Sequence, residues 1–345
     1  MSFVHLHVAS GFSLRHGADT PSALVEAAVS HGQPALALTD RDGMSGAVRF
    51  LQAAQDAGIG AIVGVDLPIA AERSMIGADA GGASARVTPA RVTPARVTPA
   101  RGGALRDPGL HRFVVLARGR GGWAGLCRLT TALHELGVDR GLAHRDVQRV
   151  NDVLVDGGLT VLLGPQSDVG AAIAARRPDR ARALLEQWQR TGAEIVIELV
   201  SHRSREPRAA ATDASGAAQR GQAYSTALAA RMWQFAVDER VGVVLTNAVR
   251  HIEPEGARTI DVLDAVRRLV PLDARHLDRS NAEGYLKSSE QMWQIAEEIA
   301  DAVGGDAHSS ASHSAAVQLI DSTNAHHHQR HPRFPRQSAT SVLTT

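Results

Sequence analysis

The sequence predicts an α/β fold in which about seven strands alternate with helices. Short apolar runs of strand length recur along the chain, and most are followed by a segment whose apolar residues have helical spacing. Such apolar strands are typical of parallel sheets that are buried on both faces. Polar residues stand repeatedly at the predicted carboxyl ends of these strands, namely Asp40, Asp66, His202 and Asn247. Active sites of α/β barrels collect at that edge, so these residues are the first candidates for a site.

The first part of the chain predicts the order β-α-β-α-β. Strands are expected at FVHLHV, PALALTD and IGAIVGVDLPIA, with helices at TPSALVEAAVSHG and GMSGAVRFLQAAQDAG between them. The first helix carries boundary signals of its own, because Thr20 can cap it, Pro21 suits its first position and Gly32 can end it.

The opening strand contains two histidines, His5 and His7. Residues two apart on a strand point to the same face, so the two imidazoles would lie side by side. That arrangement suits a metal ion, which needs several donors from one side. The alternative from these residues alone is a strand with two partly exposed histidines.

Residues 72–109 are predicted to form a disordered surface insertion. A five-residue unit, ARVTP, repeats between Ala85 and Arg101, and its regular prolines prevent a helix. The arginines of the repeat allow a basic tether for nucleic acid, and a repeat expansion without function is the other interpretation.

The rest of the chain returns to alternating elements. Strands are predicted at HRFVVLARG, LTVLLGP, AEIVIELVSH and VVLTNAVRH, and helical segments separate and follow them up to SSEQMWQIAEEIADAVG. Residues 305–345 are predicted to be a disordered tail, in which an HHH run could bind metal adventitiously.

The composition excludes several classes of protein. A formal net charge of +1 gives no global attraction to nucleic acid, and 3% aromatic residues argue against a base-stacking platform. The single cysteine, Cys127, excludes an internal disulfide framework. With no signal-like start and no apolar run of spanning length, we expect a cytoplasmic protein without a membrane partner.

Four blocks of sequence, in order, resemble one known family. They are FVHLHVASGFSLRHGA, PALALTDRDGMSGAVRFLQAAQDAGIGAIVGVDL, FVVLARGRGGWAGLCRLTT, and VVLTNAVRHIEPEGARTIDVLDAVRRLVPL with the later YLKSSEQM. These blocks resemble the N-terminal PHP (polymerase and histidinol phosphatase) domain of the bacterial DNA polymerase III alpha subunit and its error-prone paralogue. The resemblance implies a distorted seven-stranded (β/α) TIM-like barrel, formed by residues 1–71 and 110–304.

The resemblance also implies a metal centre at the mouth of the barrel. In metal-competent members, up to three divalent ions position and activate a water that attacks a phosphodiester. Carried over position by position, the candidate ligands in this chain are His5, His7, His16, Asp40, Asp66, His111 and His202.

Three departures from the family pattern indicate that this centre is degraded. Arg41 replaces the histidine of a TDH motif, and Ala248 and Arg250 replace the aspartate and histidine that follow TN. A guanidinium has no lone pair to give to a metal, but it could take the metal's place and pair with Asp40 or Asp66. We therefore expect a divalent metal (Zn, Mn or Mg) at reduced stoichiometry, or none.

The favoured hypothesis is a PHP-domain fragment with a structural role. The chain contains no palm-like sequence, so we expect a truncated, frameshifted or split-gene product whose partners are the rest of a DNA polymerase or replisome and translesion subunits. DNA contact would be weak or indirect. The alternatives are a metal-dependent phosphoesterase or 3′–5′ proofreading exonuclease, and a histidinol-phosphatase-like enzyme for small molecules.

Overall fold

The computed structural model describes residues 2–70, 109–155, 157–204, 224–273, 279, 281–304 and 310–328. Six strands form one sheet in chain order, and this sheet curls into a half barrel. The strands are β1 (Ala35–Arg41), β2 (Gly60–Pro68), β3 (Arg112–Arg118), β4 (Gly157–Leu163), β5 (Glu194–Val200) and β6 (Gly242–Thr246). The predicted insertion at 72–109 lies outside the described residues, except for residue 109.

The sheet is parallel apart from one strand. β1 pairs with β2, β4 with β5, and β5 with β6 in parallel, whereas β3 is antiparallel to both of its neighbours. The five parallel strands therefore present their carboxyl ends at one edge of the sheet, and β3 presents its amino end there. This reversal brings Arg112, the first residue of β3, to the edge where the predicted site residues lie.

Ten helices are described around the sheet. They are α1 (Pro21–Ser30), α2 (Ala47–Ala57), α3 (Gly119–Leu136), α4 (His144–Asn151), α5 (Asp168–Ala174), α6 (Pro178–Gln189), α7 (Thr226–Asp238), α8 (Ala257–Arg268), α9 (Ser289–Gly304) and α10 (Ser310–His328). The boundary signals of α1 are confirmed, because the Thr20 side chain accepts a hydrogen bond from the Ala23 N–H and Gly32 has φ 64°. Among the described residues, no helix is long and apolar enough to cross a membrane.

The buried apolar residues form two clusters, and the smaller one lies on the concave side of the sheet. It takes at least one residue from each of the six strands and two from the opening segment, namely Val4, Leu6, Ala35, Ala37, Ile62, Val114, Leu116, Leu162, Val196 and Val244. The larger cluster lies between the sheet and the surrounding helices. The candidate site is therefore positioned at the edge of a sheet that is packed on both faces.

The predicted opening strand is not a regular strand, so the expectation of seven strands is not confirmed. The strand pairing of residues 3–9 is limited to isolated bridges, His5 with Leu36 and Val8 with Val249. The His5 carbonyl accepts a hydrogen bond from the Ala37 N–H, and the His7 carbonyl accepts one from the Val249 N–H. Because this segment bonds alternately to β1 and to the chain after β6, it has no continuous ladder with either.

The prediction of a disordered tail from residue 305 is wrong for residues 310–328, which form α10. Ala316, Leu319 and Ile320 follow helical spacing and are buried. The Ser322 hydroxyl donates a hydrogen bond to the Val243 carbonyl, 2.7 Å away, so this helix lies against the open edge of β6. Covering an edge in this way satisfies strand groups that would otherwise need water.

Thr323 provides a test of how α10 is attached. Its buried hydroxyl accepts a hydrogen bond from the Leu245 N–H at 2.8 Å and donates to the Leu319 carbonyl. Thr323→Val keeps the shape but leaves a buried strand N–H without its acceptor, so we expect the free energy of unfolding to fall by about 1–3 kcal/mol. Thr323→Ser keeps the acceptor and should lose clearly less; equal losses in urea denaturation would contradict this role.

Candidate functional site

A cleft of about 100 Å³ opens at the edge where the parallel strands end. Its polar lining comes from the ends of β1 to β5 and the chain just after β4 and β5, from the segment before α7, from the opening segment and from the chain between β6 and α9. These residues are His7, His16, Arg41, Asp66, Arg112, Gln166, Glu198, His202, Tyr224, Arg250, His251, Arg267, Arg279 and Asn281. Arginines outnumber carboxylates in this lining, which is unusual for a site that concentrates divalent cations.

Asp66 is held by two arginines, one from each neighbouring strand. Arg41 stands directly opposite Asp66 in the parallel register of β1 and β2, and its Nε donates to Asp66 Oδ2 at 3.0 Å. Arg112 lies diagonally across the β2–β3 pair, and its Nε donates to Asp66 Oδ1 at 2.9 Å. Burial alone would raise the pKa of Asp66, but the charges of Arg112 and Arg41 outweigh it and lower that pKa. The carboxylate therefore stays ionised and forms ion pairs with two guanidinium groups.

Glu198 and His7 form the other buried pair of the cleft. His7 Nδ1 lies 2.7 Å from Glu198 Oε1, which also accepts a hydrogen bond from the Thr246 hydroxyl. Burial would lower the pKa of His7, but the charge and hydrogen bond of Glu198 outweigh it and raise that pKa. A Cβ on Gly164 would lie 2.0 Å from Glu198 Oε2, so any larger residue there would force this carboxylate to move.

Arg250 fixes the far side of the cleft. Its two terminal nitrogens donate to both oxygens of Asp264, whose side chain is 1% exposed, and its Nε donates to the His16 carbonyl at 3.1 Å. Arg267 donates to the same carboxylate at 2.8 Å. Burial would raise the pKa of Asp264, but the arginines, Arg250 first, lower it to about 2.

The ion pairs of Asp264 with Arg250 and Arg267 predict how the free energy of unfolding depends on pH. Because the folded-state pKa of Asp264 is about 2, against an ordinary value of 3.8, this carboxylate stabilises the fold above pH 3.8 and loses that contribution as the pH falls toward 2. The shift corresponds to about 2 kcal/mol. We expect the loss of unfolding free energy in Asp264→Asn to be full at neutral pH and to shrink in acid. A loss that does not change with pH would contradict this assignment.

His16 and His202 complete the polar wall of the cleft, and neither carries a positive charge at neutral pH. Burial first, and then the charges of Arg250 and Arg41, lower the pKa of His16 well below its usual value. Burial lowers the pKa of His202 to about 3, and its Nε2 lies 2.9 Å from the Asn247 carbonyl. Asn247 itself donates to the Glu283 and Tyr285 carbonyls, so its amide positions the loop before α9.

Three of the residues predicted as metal ligands do not line this cleft. His5 is fully buried behind it, where its Nε2 lies 2.9 Å from the Lys287 carbonyl and burial lowers its pKa to about 4. Asp40 accepts hydrogen bonds from the Ser10 N–H, the Ser10 hydroxyl and the Ser13 hydroxyl. His111 is exposed and lines a neighbouring groove instead. The structure therefore brings together only His7, His16, Asp66 and His202 of the seven predicted ligands.

The two histidines of the opening segment do not converge, contrary to the prediction from their spacing. His5 contacts Lys287, whereas His7 contacts Glu198 in the cleft. The segment lacks a continuous strand ladder, so the alternation that places residues two apart on one face does not apply. Ala248, one of the positions at which the family resemblance implied a metal ligand, has a positive φ of 42°.

The donor set does not fit the multi-metal centre that the family resemblance implies. Within the described residues, no group of three or more His, Cys, Asp or Glu side chains is arranged to hold a metal ion. The two carboxylates of the cleft are engaged by Arg41, Arg112 and His7, and the two guanidiniums oppose the approach of a divalent cation.

The sequence reasoning missed three residues that shape this site. Glu198 had a usable signal, because it is the only charged residue in the apolar second half of β5. Arg112 and Asp264 had no such signal in the sequence. The role of Arg112 depends on the antiparallel direction of β3, and the role of Asp264 depends on how α8 packs against Arg250.

A family model described as the PHP domain matches residues 5–202, more than half of the chain. The chain belongs to the PHP domain family. The matched range includes β1 to β5 and every cleft residue from His7 to His202. Arg250 and α8, which complete the cleft, lie beyond it.

Curated relatives of this PHP domain are DNA polymerases. The error-prone DNA polymerase of Mycolicibacterium paratuberculosis is 31% identical over 294 residues, which cover 81% of this chain and 22% of the relative. The error-prone DNA polymerase of Mycobacterium bovis is 30% identical over 93% of this chain and 25% of the relative. The chain thus spans about a quarter of the length of these relatives.

Among solved structures, an amidohydrolase from Chromobacterium violaceum, determined with bound sulfate and no metal, matches with a TM-score of 0.41 and 14% identity. The match covers 72% of this chain and 88% of that one. A suspected metal-dependent phosphoesterase of Bifidobacterium adolescentis matches with a TM-score of 0.38 and 11% identity, over 72% of this chain and 87% of that one. Similarity at this level adds nothing to the family assignment.

Proposed function

We propose that this chain is the PHP domain of a DNA-polymerase-type protein and that arginine–carboxylate pairs replace its hydrolytic metal centre. Its role is structural: the domain provides a folded module for the rest of such a polymerase or for other replication or translesion subunits. The single observation that carries this proposal is Asp66, which two guanidiniums hold at 3.0 and 2.9 Å. A carboxylate in that state is a poor ligand for a divalent ion.

The rest of the cleft supports the same interpretation. Arg250, in place of a family ligand, is itself engaged with Asp264 and with the His16 carbonyl. Each arginine therefore has a structural partner, and the site is held together by these pairs without metal ions. We also propose that residues 3–9 occupy the position of the seventh strand of the barrel. The bridges from His5 to Leu36 and from Val8 to Val249 support this proposal.

The partner proposal depends on the curated relatives. This chain matches about a quarter of their length, so the partner that we propose is the remainder of such a protein. Under this proposal, contact with DNA is indirect.

A second candidate is a metal-dependent phosphoesterase or 3′–5′ exonuclease that uses a single ion. One observation favours it: His7, Glu198, Asp66 and His202 all line the same cleft. Such a site would require His7 to leave Glu198, or Asp66 to leave its arginines, before an ion could bind.

Hydrolysis assays with the full chain separate the two candidates. We expect no Mn²⁺- or Zn²⁺-dependent cleavage of bis(p-nitrophenyl) phosphate or of a 3′ DNA end above that of a Glu198→Gln variant. Metal-dependent turnover that disappears in Glu198→Gln would overturn the structural proposal and establish the second candidate.

A further inference from the structure

We propose that the cleft is a metal-independent binding site for a phosphate-class oxyanion, with Arg112 and Arg250 supplying the positive charge that metal ions supply in other PHP domains. This inference rests on the proposed replacement of the metal centre. It goes beyond a structural role, because it assigns the cleft a ligand.

The first support is the charge of the cleft's lining. Five arginines line the cleft, namely Arg41, Arg112, Arg250, Arg267 and Arg279, against two carboxylates, Asp66 and Glu198. Arg41 and Arg112 pair with Asp66, and His7 contacts Glu198. The cleft as a whole is therefore more favourable for an anion than for a cation.

The second support is the set of donors that remains. A guanidinium has five N–H groups. Arg112 donates through Nε and Nη2, and no described residue accepts from its Nη1. Arg250 uses one hydrogen from each group, Nε, Nη1 and Nη2, so its two other N–H groups have no acceptor among the described residues. Planar forks of this kind match the oxygens of a phosphate group.

The third support is His16, which lines the same cleft between these arginines. This residue is 8% exposed, and its buried Nδ1 has no hydrogen-bond partner in the part of the chain that the structure describes. A buried polar atom without a partner is uncommon and points to a group that would satisfy it. A cavity of about 100 Å³ has room for several waters or for one compact anion.

The test is a titration of the full chain in EDTA. Inorganic phosphate is added against potassium chloride at matched ionic strength, and binding is followed by calorimetry and by thermal unfolding. We expect saturable binding without metal. Thymidine 5′-monophosphate and thymidine serve as further probes. Binding of the nucleotide but not of thymidine identifies a terminal phosphate as a ligand source, whereas binding of inorganic phosphate alone identifies the free ion.

Variants assign the binding to these arginines. Arg250→Gln combined with Asp264→Asn removes both charges of the Arg250–Asp264 pair and keeps the side-chain shapes, while Arg267 exchanges a carboxylate acceptor for an amide oxygen. We expect at least about tenfold weaker binding for this double variant and for Arg112→Gln. Arg182→Gln removes an exposed arginine that pairs with Glu239 and should bind as the wild type does.

The outcomes separate this inference from the proposed function. Absence of saturable phosphate binding, or equal affinity in the double variant, overturns the oxyanion site even if no hydrolysis is found. Binding that requires added Mn²⁺ overturns both, because the metal would then be part of the site.

Discussion

Replacing Asp66 with asparagine is expected to lower the free energy of unfolding by about 3 kcal/mol, the scale for breaking a buried ion pair. The substitution leaves Arg41 and Arg112 buried without the carboxylate that they share. Arg112 retains Asp42, which places the loss at the lower end of the range for such pairs. Urea denaturation at neutral pH measures the change directly.

Asp179→Asn is the matched control for Asp66→Asn. The Asp179 side chain is 99% exposed and lies 3.6 Å from Arg182 at the surface. We expect a change within about 0.5 kcal/mol for this variant. If Asp66→Asn cost no more than Asp179→Asn, the arginine pairs would not be structural, and the account of the cleft would fail.

The second large effect is expected from introducing the ligands that the family resemblance implies at two positions, Arg41→His with Ala248→Asp. The histidine removes one guanidinium from Asp66 and supplies an imidazole donor, and the aspartate adds a carboxylate. Aspartate also tolerates the positive φ of 42° at position 248 better than alanine. Arg250 is retained because it holds Asp264. Mn²⁺ affinity, measured by calorimetry, should rise at least about tenfold over the wild type.

Arg41→Gln with Ala248→Asp provides the control for this gain. It removes the same positive charge and adds the same carboxylate, but glutamine offers no imidazole. A gain of equal size in both double variants would mean that charge alone limits metal binding. No gain in either variant would contradict the view that Arg41 and Ala248 mark the loss of a metal centre.

Much of the fold could be predicted from the sequence, because its elements are local. The six apolar runs after the opening segment are confirmed as β1 to β6, and Thr20, Pro21 and Gly32 mark the bounds of α1 as predicted. The antiparallel direction of β3 was not predicted, since an apolar run carries no information about its direction. The helix α10 was missed because its serine- and histidine-rich composition hides the buried Ala316, Leu319 and Ile320.

The site was less predictable, because its contacts join distant parts of the chain. The sequence did indicate that Arg41 could pair with Asp66, and the structure places these residues opposite each other in the register of β1 and β2. The prediction that His5 and His7 share a face required a regular strand, which the opening segment does not form. Contacts such as Arg112 with Asp66 follow from the order and direction of strands, which no short motif encodes.

The most direct test of the central claim, that arginines have replaced the metal centre, is elemental analysis of the purified full chain. The protein is equilibrated with Mn²⁺ and Zn²⁺ and then desalted before the metal content is measured. The account predicts less than one tightly bound ion per chain, and no increase in the Asp66→Asn variant. More than one tightly bound Mn or Zn ion per chain would contradict it.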